Sequence, residues 1–234
     1  MGFMPNLASF LIVIARLRDA VAAYYNENYR AHKQSKYTRA NVAIVPGGRA
    51  GISRLMATLH NLNIGYFLPE YTAYTQLLAE FDGVSAIPLH HDNGDTTSPR
   101  RLREAVRSHG LGAILFSNPS NPTGQVIEGD TLAKFVDIAR SEHCLMIHDE
   151  FYSHYIYGSK KRRAPFPSFS AAEFINDVNV DPCVIINGLT KNWRLPGFRV
   201  CWVVGPAHCI ETLSSVGSFM DGGANNVLQK GERQ

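Results

Sequence analysis

Lys191 lies in the stretch Gly188-Leu189-Thr190-Lys191-Asn192-Trp193-Arg194-Leu195-Pro196-Gly197-Phe198-Arg199. A lysine ammonium becomes a nucleophile only on losing its proton. Desolvation and nearby positive charge both favour the neutral amine. A neutral amine attacks aldehydes and forms a Schiff base. Taken alone, a lysine is more often a solvated surface charge. Two upstream segments give this one weight. His148-Asp149-Glu150-Phe151-Tyr152 closes an apolar run with acids. Asp149 would be costly to bury unpaired, and a cationic N–H is a partner that makes its burial sensible. A turn cap is one alternative. A metal site with His148 is another, disfavoured because neighbouring strand residues point to opposite faces. Ser117-Asn118-Pro119-Ser120-Asn121-Pro122-Thr123-Gly124 is a rigid turn by composition, with two prolines that fix φ and a glycine that allows a tight exit. A plain Pro-rich connector would look similar.

A fourth segment, Pro46-Gly47-Gly48-Arg49-Ala50-Gly51-Ile52, follows an apolar run and opens a helical pattern. Glycines there let backbone N–H groups approach a phosphate, and a helix N-terminus favours the anion. Two glycines alone are a weak signal.

These segments need a frame to bring them together. Seven short apolar runs read as strands: Asn41–Val45, Gly65–Leu68, Ser85–Leu89, Gly112–Ser117, Cys144–Asp149, Cys183–Asn187 and Arg199–Val204. Several are continuous rather than alternating, which suits burial on both faces. Helical spacing falls between most of them, at Leu17–Ala31, Ala50–Asn61, Tyr74–Phe81, Arg100–His109 and Thr131–Glu142. Ser98 can cap the fourth of these, Pro99 fits its first turn and Gly110 can stop it. The alternation predicts an α/β fold, a three-layer α/β/α domain on a mostly parallel seven-stranded sheet. Ligands of such sheets sit beyond the carboxyl ends of strands. Asn118, Asn121, Asp149 and Lys191 all close or follow a strand, and that agreement outweighs any single motif.

The 234 residues are 45% hydrophobic and 18% charged, an ordinary globular balance. A net charge of +3 gives no general attraction to nucleic acid or membrane. Lys160-Lys161-Arg162-Arg163 has no interleaved aromatics and reads as a solvated loop. The cysteines at 144, 183, 201 and 209 lack CxxC spacing and read as reduced thiols of a cytoplasmic protein. The apolar stretch Phe10–Ala15 is too short to span a bilayer and follows no basic region. Residues 1–15 read as an irregular N-terminal segment or a buried helix.

Read in order, the segments resemble the large domain of class I/II (aspartate aminotransferase family, fold type I) pyridoxal-phosphate enzymes. The string Asn118-Pro119-Ser120-Asn121-Pro122-Thr123-Gly124 is highly specific for that family, and Asp149-Glu150-Phe151-Tyr152 matches its Asp-x-x-Tyr pattern. The resemblance implies pyridoxal 5'-phosphate as cofactor, with Lys191 as the Schiff-base lysine. Asp149 is then the partner of the pyridine nitrogen, and Asn121 and Tyr152 are donors to the phenolic oxygen. Gly48, Arg49 and Ala50 carry over to the phosphate loop. Arg199, eight residues after Lys191, carries over to the phosphate-binding arginine, where a guanidinium suits a dianion. Tyr71 takes the place of the aromatic stacked on the ring, with Tyr74 a neighbour easily confused with it. No metal is implied.

The pattern also departs from the family. The serine or threonine often found three residues before the lysine is Gly188 here, and Thr190 replaces it only in part. Residues 1–15 lack the family's N-terminal arm. The small domain, with the arginine that holds the substrate carboxylate, has no counterpart; residues 16–220 read as the cofactor-binding domain and 221–234 as the start of a missing one. The resemblance implies an aminotransferase acting on amino acid and 2-oxo acid substrates, a homodimer, with turnover weakened by the missing anchor. A carbon–sulfur lyase of the same family, a non-catalytic cofactor-binding or dimerisation module, and a distant metal hydrolase built on His148, Asp149 and Glu150 are the rival readings.

Overall fold

The structure is a computed structural model that describes residues 7–90, 98–157 and 168–225. The basic run at 160–163 lies outside the described residues. In chain order the elements are α1 (Leu7–Tyr29), β1 (Val42–Val45), α2 (Gly48–Met56), β2 (Leu62–Leu68), α3 (Ala73–Leu78), β3 (Val84–His90), α4 (Pro99–Ser108), β4 (Leu111–Ser117), α5 (Gly129–Glu142), β5 (Leu145–Asp149), β6 (Cys183–Gly188), β7 (Cys201–Val204) and α6 (Ala207–Met220). The seven strands form one sheet in the order β1-β7-β6-β5-β4-β2-β3. Strand β7 is antiparallel to both neighbours, and every other pairing is parallel.

Side-chain alternation divides the core into two layers. In β4, Ile114 and Phe116 face one layer and Ala113 and Leu115 the other. The first layer is closed by α1 through Leu17, Val21 and Tyr25, by α4 through Leu102 and Val106, and by α5 through Leu132, Phe135 and Val136. The second is closed by α2 through Ile52, Leu55 and Met56, by α3 through Tyr74 and Leu78, and by α6 through Ile210 and Leu213. This is the expected three-layer arrangement. It accounts for the continuous apolar runs, because β6 and β7 are buried along their whole length.

Local signals held where they had a mechanism. Ser98 Oγ accepts from the Arg101 N–H at 3.5 Å, Pro99 opens α4, and Gly110 follows its end at φ +56°. Of the two readings of the N-terminal segment, irregular or helical, its described part takes the second, from Leu7. Two other features differ from expectation. Helix α2 begins at Gly48 and stops at Met56, leaving room for β2 to begin at Leu62. Helix α6 was not expected at all. Its buried residues Ile210, Leu213 and Gly217 keep helical spacing, but serines and a glycine dilute the apolar signal.

Gly217 is small for a reason. A Cβ there would collide with the guanidinium of Arg54, a buried residue of α2. Arg54 Nε donates to Asp221 Oδ2 at 2.9 Å, and its Nη2 pairs with Asp221 Oδ1. The pair ties α2 to the end of α6. All four cysteines are free thiols. No helix among the described residues is long and apolar enough to cross a membrane.

Phe116 sits at the centre of the first layer, with ring contacts to Phe67, Phe135 and His148. Phe116→Ala is expected to lower unfolding free energy by about 3–5 kcal/mol in urea denaturation. Phe219, 89% exposed, is the control. Its alanine variant is expected to stay within about 0.5 kcal/mol of the native chain.

Candidate active site

The parallel strands β2, β4, β5 and β6 end on one edge of the sheet, and β1, antiparallel to β7, ends there too. Strand β7 runs the other way, so its first residues start from that edge. A cleft of about 360 Å³ opens at this edge. Gly48, Arg49, Tyr71, Asn121, Asp149, Tyr152, Thr190, Lys191 and Arg199 line it. Ala50, expected with them, is part of α2 but does not line the cleft. Ile52, Ser117 and Phe151 line it without having been singled out from the sequence, as does Tyr74, named there only as a neighbour of Tyr71.

Asp149 is the last residue of β5 and is buried, 9% exposed. Its Oδ2 accepts from Tyr74 Oη at 2.5 Å, and its Oδ1 accepts from the Phe151 N–H at 3.3 Å. No ion pair among the described residues reaches it. Burial pushes the carboxyl up to about 6, against the pull of those two donors. Tyr74 is thus the residue that holds the acid, whereas Tyr71 packs edge-on against Tyr74 at 5.6 Å and faces the cleft. Arg49 Nη2 donates to Tyr71 Oη at 2.6 Å and lies 5.7 Å from its ring centre.

His148 points the other way, edge-on to the Phe116 ring, so it cannot join Asp149 around one metal ion. Among the described residues neither of its ring nitrogens has a partner, and burial lowers it to about 3, a neutral imidazole. Glu150 follows, also buried. Its Oε1 accepts from the Ala171 N–H at 2.8 Å, and among the described residues its Oε2 lacks a hydrogen-bond partner. Burial raises this carboxyl to about 8.

Lys191 is exposed to the cleft, with Nζ 5.6 Å from the Tyr152 ring centre. Its loop is held from several sides. Tyr155 Oη donates to the Lys191 carbonyl at 3.0 Å. Asn192 Nδ2 donates to Ser153 Oγ at 3.0 Å and to Asn187 Oδ1 at 3.2 Å, and Asn192 Oδ1 accepts from the His154 N–H at 3.2 Å. Trp193 packs against Tyr24, His154 and Trp202 at ring distances of 5.1–5.6 Å.

At the α2 end of the cleft, Gly47 takes φ +115° and Arg199 the left-handed region at φ +53°. A Cβ on Gly47 would occupy the space of the Arg199 guanidinium. Glycine is therefore required twice over, for its dihedral and for its volume. Thr190 Oγ1 lies 3.5 Å from Cys201 Sγ. A Cβ on Gly188 would overlap the same sulfur and also the Cα of Cys201, so position 188 has no room for a hydroxyl side chain. The positive ends here are an α-helix N-terminus and a guanidinium, which together suit an anion.

The family model for aminotransferase class I and II matches residues 9–229. The chain belongs to the class I and II aminotransferase family. It is 26% identical over 190 residues to an aspartate aminotransferase of Streptomyces avermitilis, covering 80% of this chain and 45% of that one. It is 25% identical over 220 residues to an aspartate aminotransferase of Pyrococcus horikoshii, covering 92% and 52%. The fold is similar to that of Thermus thermophilus aspartate aminotransferase, solved with maleate, at a TM-score of 0.76 and 20% identity over 92% of this chain and 53% of that one. A Thermotoga maritima aspartate aminotransferase gives the same TM-score at 21% identity. The chain spans about half the length of the curated relatives it matches.

Three buried carboxyls near this edge are raised: Asp149 to about 6, Glu70 to about 7 and Glu150 to about 8. The folded state holds these protons more tightly than the unfolded chain. Their stabilisation is therefore full at acid pH and is lost as pH rises through 6–8. His148 acts oppositely, but only below about pH 6.5, where the unfolded imidazole charges. Between pH 6.5 and 9 the unfolding free energy is expected to fall by roughly 3 kcal/mol, mostly through Glu150. Urea titrations across that range check it, and Glu150→Gln is expected to remove most of the slope.

Proposed function

We propose that this chain is the cofactor-binding part of a pyridoxal-phosphate-dependent aminotransferase acting on an amino acid, with Lys191 as the reactive amine. The observation that carries this reading is Asp149, a buried carboxylate at the floor of the cleft with two neutral donors and no cation among the described residues. A pyridinium N–H is the kind of partner such a group lacks. The glycine–arginine cradle of Gly47 and Arg199 fits a phosphate at the other end. Family membership supplies the cofactor class.

Pyridoxal phosphate, when bound, supplies an aldehyde and an electron-accepting ring. This chain's residues supply the rest. The α2 N-terminus at Gly48 and Arg49, Thr190 and Arg199 would hold the phosphate. Tyr71 would cover the ring, and Asn121 and Tyr152 would donate to its phenolic oxygen. Asp149, oriented by Tyr74, would keep a proton at the ring nitrogen. Lys191 would take the proton from the substrate α-carbon and return it, as a general base and then a general acid. The anchored Asn192 and Trp193 keep its backbone fixed while the side chain moves. A homodimer belongs to the same proposal, by resemblance to the family, and light scattering tests it.

The experiment is a labelling map. The protein is incubated with pyridoxal phosphate, reduced with borohydride and digested. The label is expected on Lys191, and label on Lys36 or Lys134 with none on Lys191 overturns the reading. Lys191→Ala is expected to lower any amino-donor half-reaction, followed by single-turnover absorbance, by about 10²–10⁴-fold.

A further inference from the structure

Glu70 was not singled out by the sequence, where it reads as a loop acid beside a proline. It is 7% exposed. Its Oε1 accepts from the Tyr71 N–H at 3.0 Å and from Ser117 Oγ. Its Oε2 accepts from the Ser117 N–H at 3.0 Å. Ser117 Oγ in turn accepts from the Asn121 N–H at 2.9 Å. Four bonds thus run in a chain from the loop after β2 to the loop after β4. The β2–β4 register runs to Tyr66 opposite Leu115. Beyond it, the Glu70 carboxylate bridges the two strand exits.

Both exits carry walls of the cleft, Tyr71 on one and Asn121 on the other. We propose that Glu70 is a positioning residue that, when ionised, clamps Tyr71 and Asn121 into the geometry that receives the cofactor ring. This inference rests on the cofactor reading above. Three donors converge on two carboxylate oxygens, an arrangement made for the anion. A proton on Glu70 needs an acceptor. Ser117 Oγ could turn to provide one, but its own hydrogen would then lose its place. Among the described residues, the titratable groups facing Glu70 are Asp149 on β5 and Tyr71 and Tyr74 beside it, none of them a cation. Burial, with a smaller contribution from Asp149, brings Glu70 to about 7. The clamp is therefore set as pH rises through neutrality and released below it.

The phosphate end of the cleft is built from other residues, Gly48, Arg49, Thr190 and Arg199, of which Arg49 meets the clamp at its far end, the Tyr71 hydroxyl. That separation gives a readout a merely structural role would not produce. Affinities for pyridoxal phosphate, for pyridoxal and for competing inorganic phosphate are measured on the native chain and on Glu70→Gln at pH 6 and pH 8. At pH 8 the variant is expected to bind both ring ligands at least about tenfold more weakly. At pH 6, where Glu70 is mostly protonated, the two proteins are expected to differ by less than about threefold. Inorganic phosphate is expected to compete equally well against both. An equal penalty at both pH values, or a matching loss for inorganic phosphate, overturns the clamp. If Glu70→Gln does not fold, Ser117→Ala decides, because it keeps the carboxylate and its two backbone donors and removes only the hydroxyl that links Glu70 to Asn121. It is expected to weaken pyridoxal several-fold with phosphate unchanged, and unchanged pyridoxal affinity overturns the proposal. A native chain that binds no pyridoxal phosphate overturns the cofactor reading as well. Binding with a pH-independent penalty overturns the clamp alone.

Discussion

A carboxylate held out of water at the end of a central strand must stay protonated or find a cation. Asp149 is in that position, and much around the cleft follows from it. Tyr74 and the Phe151 N–H offset part of the cost of its charge. Neither removes it, because neutral donors stabilise an anion less than a cation does. Among the described residues, no cation lies against Asp149. Glu70 sharpens this, since a second buried carboxylate nearby makes each harder to ionise.

The sheet topology decides what can reach Asp149. Parallel strands deliver their ends to one edge, so residues far apart in sequence, from 48 to 191, converge there. The reversed β7 adds something parallel order could not. Because it starts at the same edge, a single loop from Lys191 to Arg199 leaves β6 and returns to the sheet within the cleft. The putting of amine and guanidinium on one short loop fixes their relation by local backbone bonds, such as Leu195 N–H to Leu189 O at 2.9 Å.

Much of this was legible in the sequence, for identifiable reasons. Asn121, Asp149 and Lys191 each close or follow an apolar run, and runs of that kind become buried strands whatever their exact bounds. Arg199 was placed by its distance from Lys191. Other features were not legible because they are relations between distant side chains. Tyr71 and Tyr74 look alike three residues apart, and only the contact with Asp149 distinguishes them. Glu70 becomes buried through Ser117, 47 residues away, which no local pattern encodes. Helix α6 was missed because its exposed serines, and Gly217 where Arg54 packs, interrupt the apolar stripe.

Gly188 and Cys201 sit opposite each other on paired strands, and a side chain at 188 would meet the sulfur, the Cβ and the Cα of Cys201, the last two at 2.7 Å. A smaller residue at 201 would clear the sulfur but leave the Cα in place. In descent, glycine at 188 is therefore held by the neighbouring backbone and not by the thiol. Position 201 is free of that constraint, so it can change side chain while 188 stays glycine.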